Sequence, residues 1–230
     1  MTELNGAEYN AVFFDLDGTL VDTAPDMVAI LQRLQQEHGI DPVSYDLGRS
    51  YVSNGAVGLL SLGFPELEIE AGDEMHQQYL ELYAEAICVE SRVFDGLEAL
   101  IDRLDEMGCP WGVITNKPTQ LTIPLLGALG LADRSACMVS GDTLTVRKPD
   151  PAPMLLACDI AGVDAETSIY IGDAERDIEA GQRAGMATIA AAYGYITADD
   201  DPREWDADVI AMTTEELAQI VLNAVNLDAL

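Results

Sequence analysis

The sequence predicts an α/β fold: a parallel sheet with helices on both faces and an all-helical segment inserted behind its first strand. Three observations carry that expectation. Short apolar segments alternate with helical patterns along most of the chain, the signature of βαβ units. The alternation breaks once, between about residues 22 and 91, where helical periodicity runs without a convincing strand. The length of 230 residues, 49% of them hydrophobic, can bury a sizeable core in one domain carrying an insert.

Taken in order, Ala11–Phe14 is apolar and bounded by charged and turn residues, which marks a buried strand. Trp111–Thr115, Ser168–Ile171 and Ala187–Ala191 have the same character, and Asp208–Ala211 is a further candidate. Leu97, Leu100, Ile101, Leu104 and Met107 fall at helical spacing and stop at Gly108, a C-terminal cap residue. Further helices are expected from Thr119 to about Leu129, over Ala152–Ala161, and after Thr213, where Thr213 and Glu216 have capping-box spacing. Within the insert, Met27, Ile30, Leu31 and Leu34 form one face behind the helix start Thr23-Ala24-Pro25-Asp26, and Gly39 follows its end. A later segment, Glu66–Val89, is again expected to be largely helical. The expected division is a Rossmann-like core of residues 1–21 and 92–230 and a helical cap of residues 22–91.

Charge narrows the function classes. Eleven Lys and Arg against 41 Asp and Glu give a formal charge of −30, which opposes nucleic acid and anionic membranes as partners. Such an excess suits a salt-rich medium, where screening shortens to roughly 3 Å at 1 M. No apolar run approaches the ~20 residues needed to span a bilayer. Residues 1–8 carry neither a basic nor an apolar leader pattern, so a cytoplasmic protein is expected. Cys88, Cys109, Cys137 and Cys158 show no CxxC spacing and are read as reduced thiols. Only two lysines occur, Lys117 and Lys148, beside nine arginines, so the surroundings of both matter.

The first strand runs into Asp15-Leu16-Asp17-Gly18-Thr19. Residues two apart in a strand share a face, so Asp15 and Asp17 point the same way at the strand's carboxyl end, where parallel α/β sheets bind ligands. Two carboxylates so close repel, which calls for a shared proton or a cation. Gly18 lets the backbone turn sharply and approach a ligand. Three more groups belong at equivalent strand ends: Thr115-Asn116-Lys117-Pro118, Lys148-Pro149-Asp150-Pro151, and Gly172-Asp173 with Asp177 one helical turn on. Together they place both lysines and four aspartates around one sheet edge.

This ordered set, DxDGT, then a threonine after a strand, then a lysine, then GDxxxD, resembles the haloacid dehalogenase superfamily, over about Asn10 to Leu222. The helical insert looks like that superfamily's α-helical cap. Thr115-Asn116-Lys117-Pro118, Lys148-Pro149-Asp150-Pro151 and Tyr193-Gly194-Tyr195 are similar to the phosphoglycolate phosphatase group, and the overall texture also to N-acetylmuramic acid 6-phosphate phosphatases. The resemblance implies a phosphomonoesterase of small phosphorylated metabolites, with Asp15 as nucleophile and Asp17 as acid and base. It implies Mg²⁺ held by Asp15, the Asp17 carbonyl, Asp173 and Asp177. Lys148 would neutralise charge, and Thr115 and the Asn116 amide would hold phosphoryl oxygens. Lys117 matches the group's sequence without an assigned role and is expected to be a surface residue at a helix start. In the cap, Arg49 and Asn54 of the stretch Gly48–Ala56 are the candidate substrate contacts, with Arg49 suited to a carboxylate.

Phosphoglycolate is the first expected substrate and N-acetylmuramate 6-phosphate the second; a β-phosphoglucomutase-like phosphotransferase shares the core residues. A phosphonatase needs a cap lysine, which residues 22–91 lack, and a haloalkanoate dehalogenase has no use for Asp17. A catalytically inactive binding protein on the same scaffold could lose Asp15, Asp17, Lys148 or Asp173, and all are present. Monomer and dimer are equally compatible with the sequence.

Overall fold

A computed structural model of the chain describes Leu4 and residues 9–225. Strand β1 (Ala11–Phe14) leads into a two-residue strand β2 (Val21–Asp22). Four helices follow: α1 (Ala24–Glu37), α2 (Tyr45–Ser50), α3 (Gly55–Gly63) and α4 (Glu74–Glu85). The chain returns through β3 (Arg92–Val93), which pairs antiparallel with β2. Then α5 (Leu97–Met107), β4 (Trp111–Ile114), α6 (Thr119–Ala128), β5 (Cys137–Val139) and α7 (Ala152–Ala161) alternate. The chain continues with β6 (Ser168–Gly172), α8 (Glu175–Ala184), β7 (Ala187–Ala191), β8 (Val209–Ala211) and α9 (Thr214–Ala224).

Six strands form one parallel sheet in the order β5-β4-β1-β6-β7-β8. Strand order reverses between β1 and β6, so a crevice opens there at the carboxyl ends. Alternation along β1 divides the core. Val12 and Phe14 join the cluster under α5, α6 and α9, whereas Ala11 and Phe13 join the one under α7 and α8. Both faces of β1 are therefore dry, which is why it reads as a continuous apolar run. The expected Rossmann-like α/β core is what the chain forms.

The helices between β2 and β3 enclose an apolar cluster of Met27, Val28, Leu31, Leu34, Leu59, Leu60, Phe64, Tyr79 and Tyr83, joined by Leu121 and Tyr195 from the sheet side. Asp26, in the first turn of α1, fixes the returning chain: its carboxylate accepts from Val89 N, Glu90 N, Ser91 N and Ser91 Oγ at 3.0, 2.9, 2.9 and 2.6 Å.

Two expectations need correction. Glu66–Val89 is helical only over Glu74–Glu85; Pro65 and Gly72 punctuate the rest into turns. Strands β2, β3 and β5, of two, two and three residues, are too short to show a period. The four cysteines are unpaired, and burial pushes the Cys137 thiol up to about 12. Among the described residues, no helix is long and apolar enough to cross a membrane.

Candidate active site

The site forms where β1, β4 and β6 end. Asp15 N still donates to Ile171 O at 2.8 Å, extending the β1–β6 ladder by one residue and fixing the Asp15 Cα. The chain then folds back sharply, with Gly18 N on Val21 O at 3.0 Å and Val21 N on Leu16 O at 2.9 Å. Gly18 has φ +85°, and a Cβ there would stand 2.1 Å from Asp173 Oδ2, so only glycine lets this turn lie against Asp173. The expected sharp turn is present, and Gly18 packs against Asp173 and Tyr195 rather than into the cavity described below.

Lys148 Nζ sits 2.8 Å from Asp15 Oδ1 and 2.7 Å from Asp177 Oδ1, with Tyr170 Oη at 2.8 Å. Its backbone is clamped by Asn116, whose amide donates to Lys148 O and accepts from Lys148 N, both at 3.1 Å. Thr115 follows β4 and accepts from Lys117 N at 3.2 Å. Asp177 caps the first turn of its own helix by accepting from Ala174 N at 3.1 Å. Asp173 accepts from Ser53 Oγ at 2.6 Å and Tyr195 N at 2.9 Å.

Carboxylate oxygens of Asp15, Asp173 and Asp177 lie within 4.8 Å of one another, all buried. Burial and the neighbouring charges of Asp15 and Asp177 push the Asp173 carboxyl up to about 7. Burial also raises Asp177, although Lys148 opposes it. Asp177 Oδ1 is fully buried and faces the Lys148 ammonium at 2.7 Å. Three buried carboxylates clustered this closely fit a divalent cation with oxygen ligands. The Asp17 carboxylate is not in this cluster, so its main-chain carbonyl is the atom it could offer.

Asp17 instead accepts from Thr23 Oγ1 at 2.7 Å and from Lys117 Nζ at 2.9 Å. Lys117 is thus buried, contrary to the surface position expected of it, with Tyr83 Oη of α4 at 3.0 Å. The helical insert supplies the wall that covers it, and nothing local in Thr115-Asn116-Lys117-Pro118 announces that contact.

Between the insert and the sheet ends lies a cavity of about 340 Å³. Asp15, Asp17, Thr115, Asn116, Lys148 and Asn54 of the expected residues line it, together with Lys117, Arg147 and Arg176. Arg49 does not: its guanidinium donates to Gly194 O at 3.3 Å and Tyr193 O at 3.5 Å, and stacks 4.8 Å above the Tyr195 ring. Arg176 donates to Ser53 O at 2.7 Å, tying the insert's loop to α8. Sequence reasoning passed over Arg147 and Arg176. Their position was a signal, since Arg147 directly precedes Lys148 and Arg176 lies between Asp173 and Asp177 in a chain poor in cations.

Comparison with known proteins identifies the family. A phosphoglycolate phosphatase of Xanthomonas campestris pv. campestris is 42% identical over 207 residues, covering 90% of this chain and 94% of that one. An N-acetylmuramic acid 6-phosphate phosphatase of Pseudomonas aeruginosa is 43% identical over 217 residues, covering 92% and 94%. The crystal structure of a predicted phosphoglycolate phosphatase from Haemophilus somnus superposes with a TM-score of 0.81 at 27% identity, over 94% of this chain and all of the other. The profile of the haloacid dehalogenase-like hydrolases matches residues 12–191. A match of that extent, on this sheet order and this carboxylate cluster, places the chain in the haloacid dehalogenase-like hydrolase family.

Proposed function

We propose that the protein is a Mg²⁺-dependent phosphomonoesterase of small phosphorylated metabolites that works through an aspartyl-phosphate. One observation carries this reading. In a chain of charge −30 with 11 cations, four of them line the cavity onto which Asp15 and Asp17 open. A dianion is drawn to such a place and to few others on this molecule.

Asp15, held by Lys148 at the wall of the cavity, attacks phosphorus in line and forms an acyl phosphate while the ester bond breaks. Asp17 gives its proton to the departing alkoxide. It then takes one from the water that attacks the acyl phosphate, which returns Asp15 and releases phosphate. Lys148 lets two anions approach, and Thr115 and the Asn116 amide hold phosphoryl oxygens, as phosphoryl transfer is mainly positioning and charge stabilisation. Lys117 and Thr23 orient Asp17. Mg²⁺, held by Asp15, Asp173, Asp177 and the Asp17 carbonyl, would supply further neutralisation of the phosphoryl oxygens. On this reading residues 1–21 and 92–230 carry the chemistry, and residues 22–91 form a cap that selects substrate, with Asn54 at its inner wall.

Phosphoglycolate, the substrate named for one close relative, is the first substrate proposed. A second reading, N-acetylmuramate 6-phosphate, is favoured by the cavity itself. Its volume of about 340 Å³ is ample for a two-carbon acid, and Tyr79, Leu80, Tyr83 and Leu121 offer an apolar wall to a sugar face. Phosphate release with Mg²⁺ from both esters and from p-nitrophenyl phosphate tests the proposal. Turnover of none of them overturns it, and the ratio of the first two decides the substrate.

A further inference from the structure

Four cations line the cavity, and three are already engaged. Lys148 bridges Asp15 and Asp177, Lys117 pairs with Asp17, and Arg176 donates to the Ser53 carbonyl. The fourth, Arg147, makes no side-chain hydrogen bond or ion pair among the described residues. Elsewhere Arg33, Arg103, Arg134, Arg183 and Arg203 each sit on a carboxylate, as an acidic surface invites. Arg92 is likewise exposed and without such a contact, but of the two only Arg147 lines the cavity, an exposed guanidinium kept from carboxylates in a chain that has 41 of them.

Its backbone is nonetheless fixed. Asp150 N donates to Arg147 O at 2.9 Å, and the following residue, Lys148, is the one clamped at both N and O by Asn116. The guanidinium is thus carried on a rigid base beside the lysine that serves the phosphoryl end. Arg49, the residue whose type suits a substrate carboxylate within the insert, is bound to the Tyr193 and Gly194 carbonyls outside the cavity.

We infer that Arg147 is a specificity residue that binds a carboxylate on the substrate's leaving group. The inference rests on the phosphomonoesterase reading and adds to it the class of ester preferred, one whose alcohol bears a carboxylate. A planar guanidinium matches a carboxylate with two parallel hydrogen bonds, and a single positive charge balances a single negative one. A second phosphate would call for more cations, and none of the others lining the cavity is unengaged. An exposed arginine also pairs without losing an existing contact.

The test uses matched esters that differ in the carboxylate: 2-phosphoglycolate against 2-hydroxyethyl phosphate, and N-acetylmuramate 6-phosphate against N-acetylglucosamine 6-phosphate. The wild type should favour the acid of at least one pair in kcat/KM by ~10- to 100-fold, the size of one charge-assisted pair. Arg147→Met should bring that ratio close to one, chiefly through KM. Arg147→Lys should retain part of it, and Arg147→Glu should invert it. A wild-type ratio near one in both pairs, or a ratio that Arg147→Met leaves unchanged, overturns the inference while p-nitrophenyl phosphate turnover keeps the phosphatase reading intact. Absence of turnover on every ester, the aryl phosphate included, brings down both.

Discussion

The ammonium of Lys117 lies 2.9 Å from Asp17 Oδ1, and the two side chains are only 4% and 16% exposed. The same ammonium stands 4.5 Å from the centroid of the Tyr83 ring, so one residue at the end of β4 touches both the DxD turn and the helical insert. Removing one partner of such a pair leaves the other charge buried and uncompensated. Lys117→Met should therefore lower stability by about 3 kcal/mol in urea unfolding. It should also lower kcat by at least ~10-fold, a part of the ~10²–10⁴-fold that a positioned acid–base group contributes. A double-mutant cycle with Asp17→Asn separates the two effects, and strict additivity would show that the pair is not coupled.

Asp15→Asn keeps the shape of the side chain but removes its nucleophilic charge and its ion pair with Lys148. Turnover should fall to background, more than ~10⁴-fold, while circular dichroism stays native. Retention of even a few per cent of kcat would move the nucleophile elsewhere.

Asp173 carries the pH dependence. Its carboxyl is pushed up to about 7 by burial and by Asp15 and Asp177, against ~3.9 in an unfolded chain. Between these values the folded chain binds the extra proton, so this group's contribution to stability is full below about pH 4 and is lost as pH rises through 7. A divalent cation competes with that proton, so its affinity should drop about tenfold per unit below pH 7 and level off above it. Thermal shift with chelator and with MgCl₂ across this range measures both trends. Asp173→Asn, compared with wild type, should remove the difference; an identical pH slope in the two proteins would contradict the assignment.

The anchor at Asp26 makes a purely structural prediction. Asp26→Ala strands three backbone N–H groups of residues 89–91 and should cost about 3 kcal/mol in urea unfolding. Asp26→Asn keeps one acceptor oxygen and should cost less. Equal midpoints for Asp26→Ala and wild type would mean that water replaces the carboxylate without loss.

Much of this molecule was legible in its sequence because the informative residues act locally. The strands Ala11–Phe14 and Ala187–Ala191 carry their apolar runs inside themselves, and Asp177, in the first turn of α8, is brought near Asp173 by the short turn between β6 and that helix. Strand β5 escaped because Cys137–Val139 becomes a strand through its ladder with Gly112–Ile114 and not through its own composition. The errors in the site share a cause. Lys117 is buried by Tyr83, 34 positions earlier in the chain, and Arg49 is held by carbonyls 144 and 145 positions later. Neither partner is visible from the flanking residues. Arg147 was overlooked for the opposite reason: its meaning lies in lacking a partner, which only the folded charge distribution reveals.

The pairing of β2 with β3 sets Val21 beside Val93 and Asp22 beside Arg92. Paired Cα atoms in an antiparallel ladder are about 4.5–5.5 Å apart, so residues 23–91 leave and re-enter the sheet domain through one doorway a single strand spacing wide. Whatever hangs from that doorway places no demand on the register of the six-stranded sheet, because β1 and β4 meet directly on its far side. The helices can change in length without shifting the ladder that sets Asp15 beside Thr115, while Ser53 on Asp173 and Tyr83 on Lys117 are the contacts an exchanged insert would have to reproduce. The register of the sheet is thereby independent of the length of the segment inserted into it.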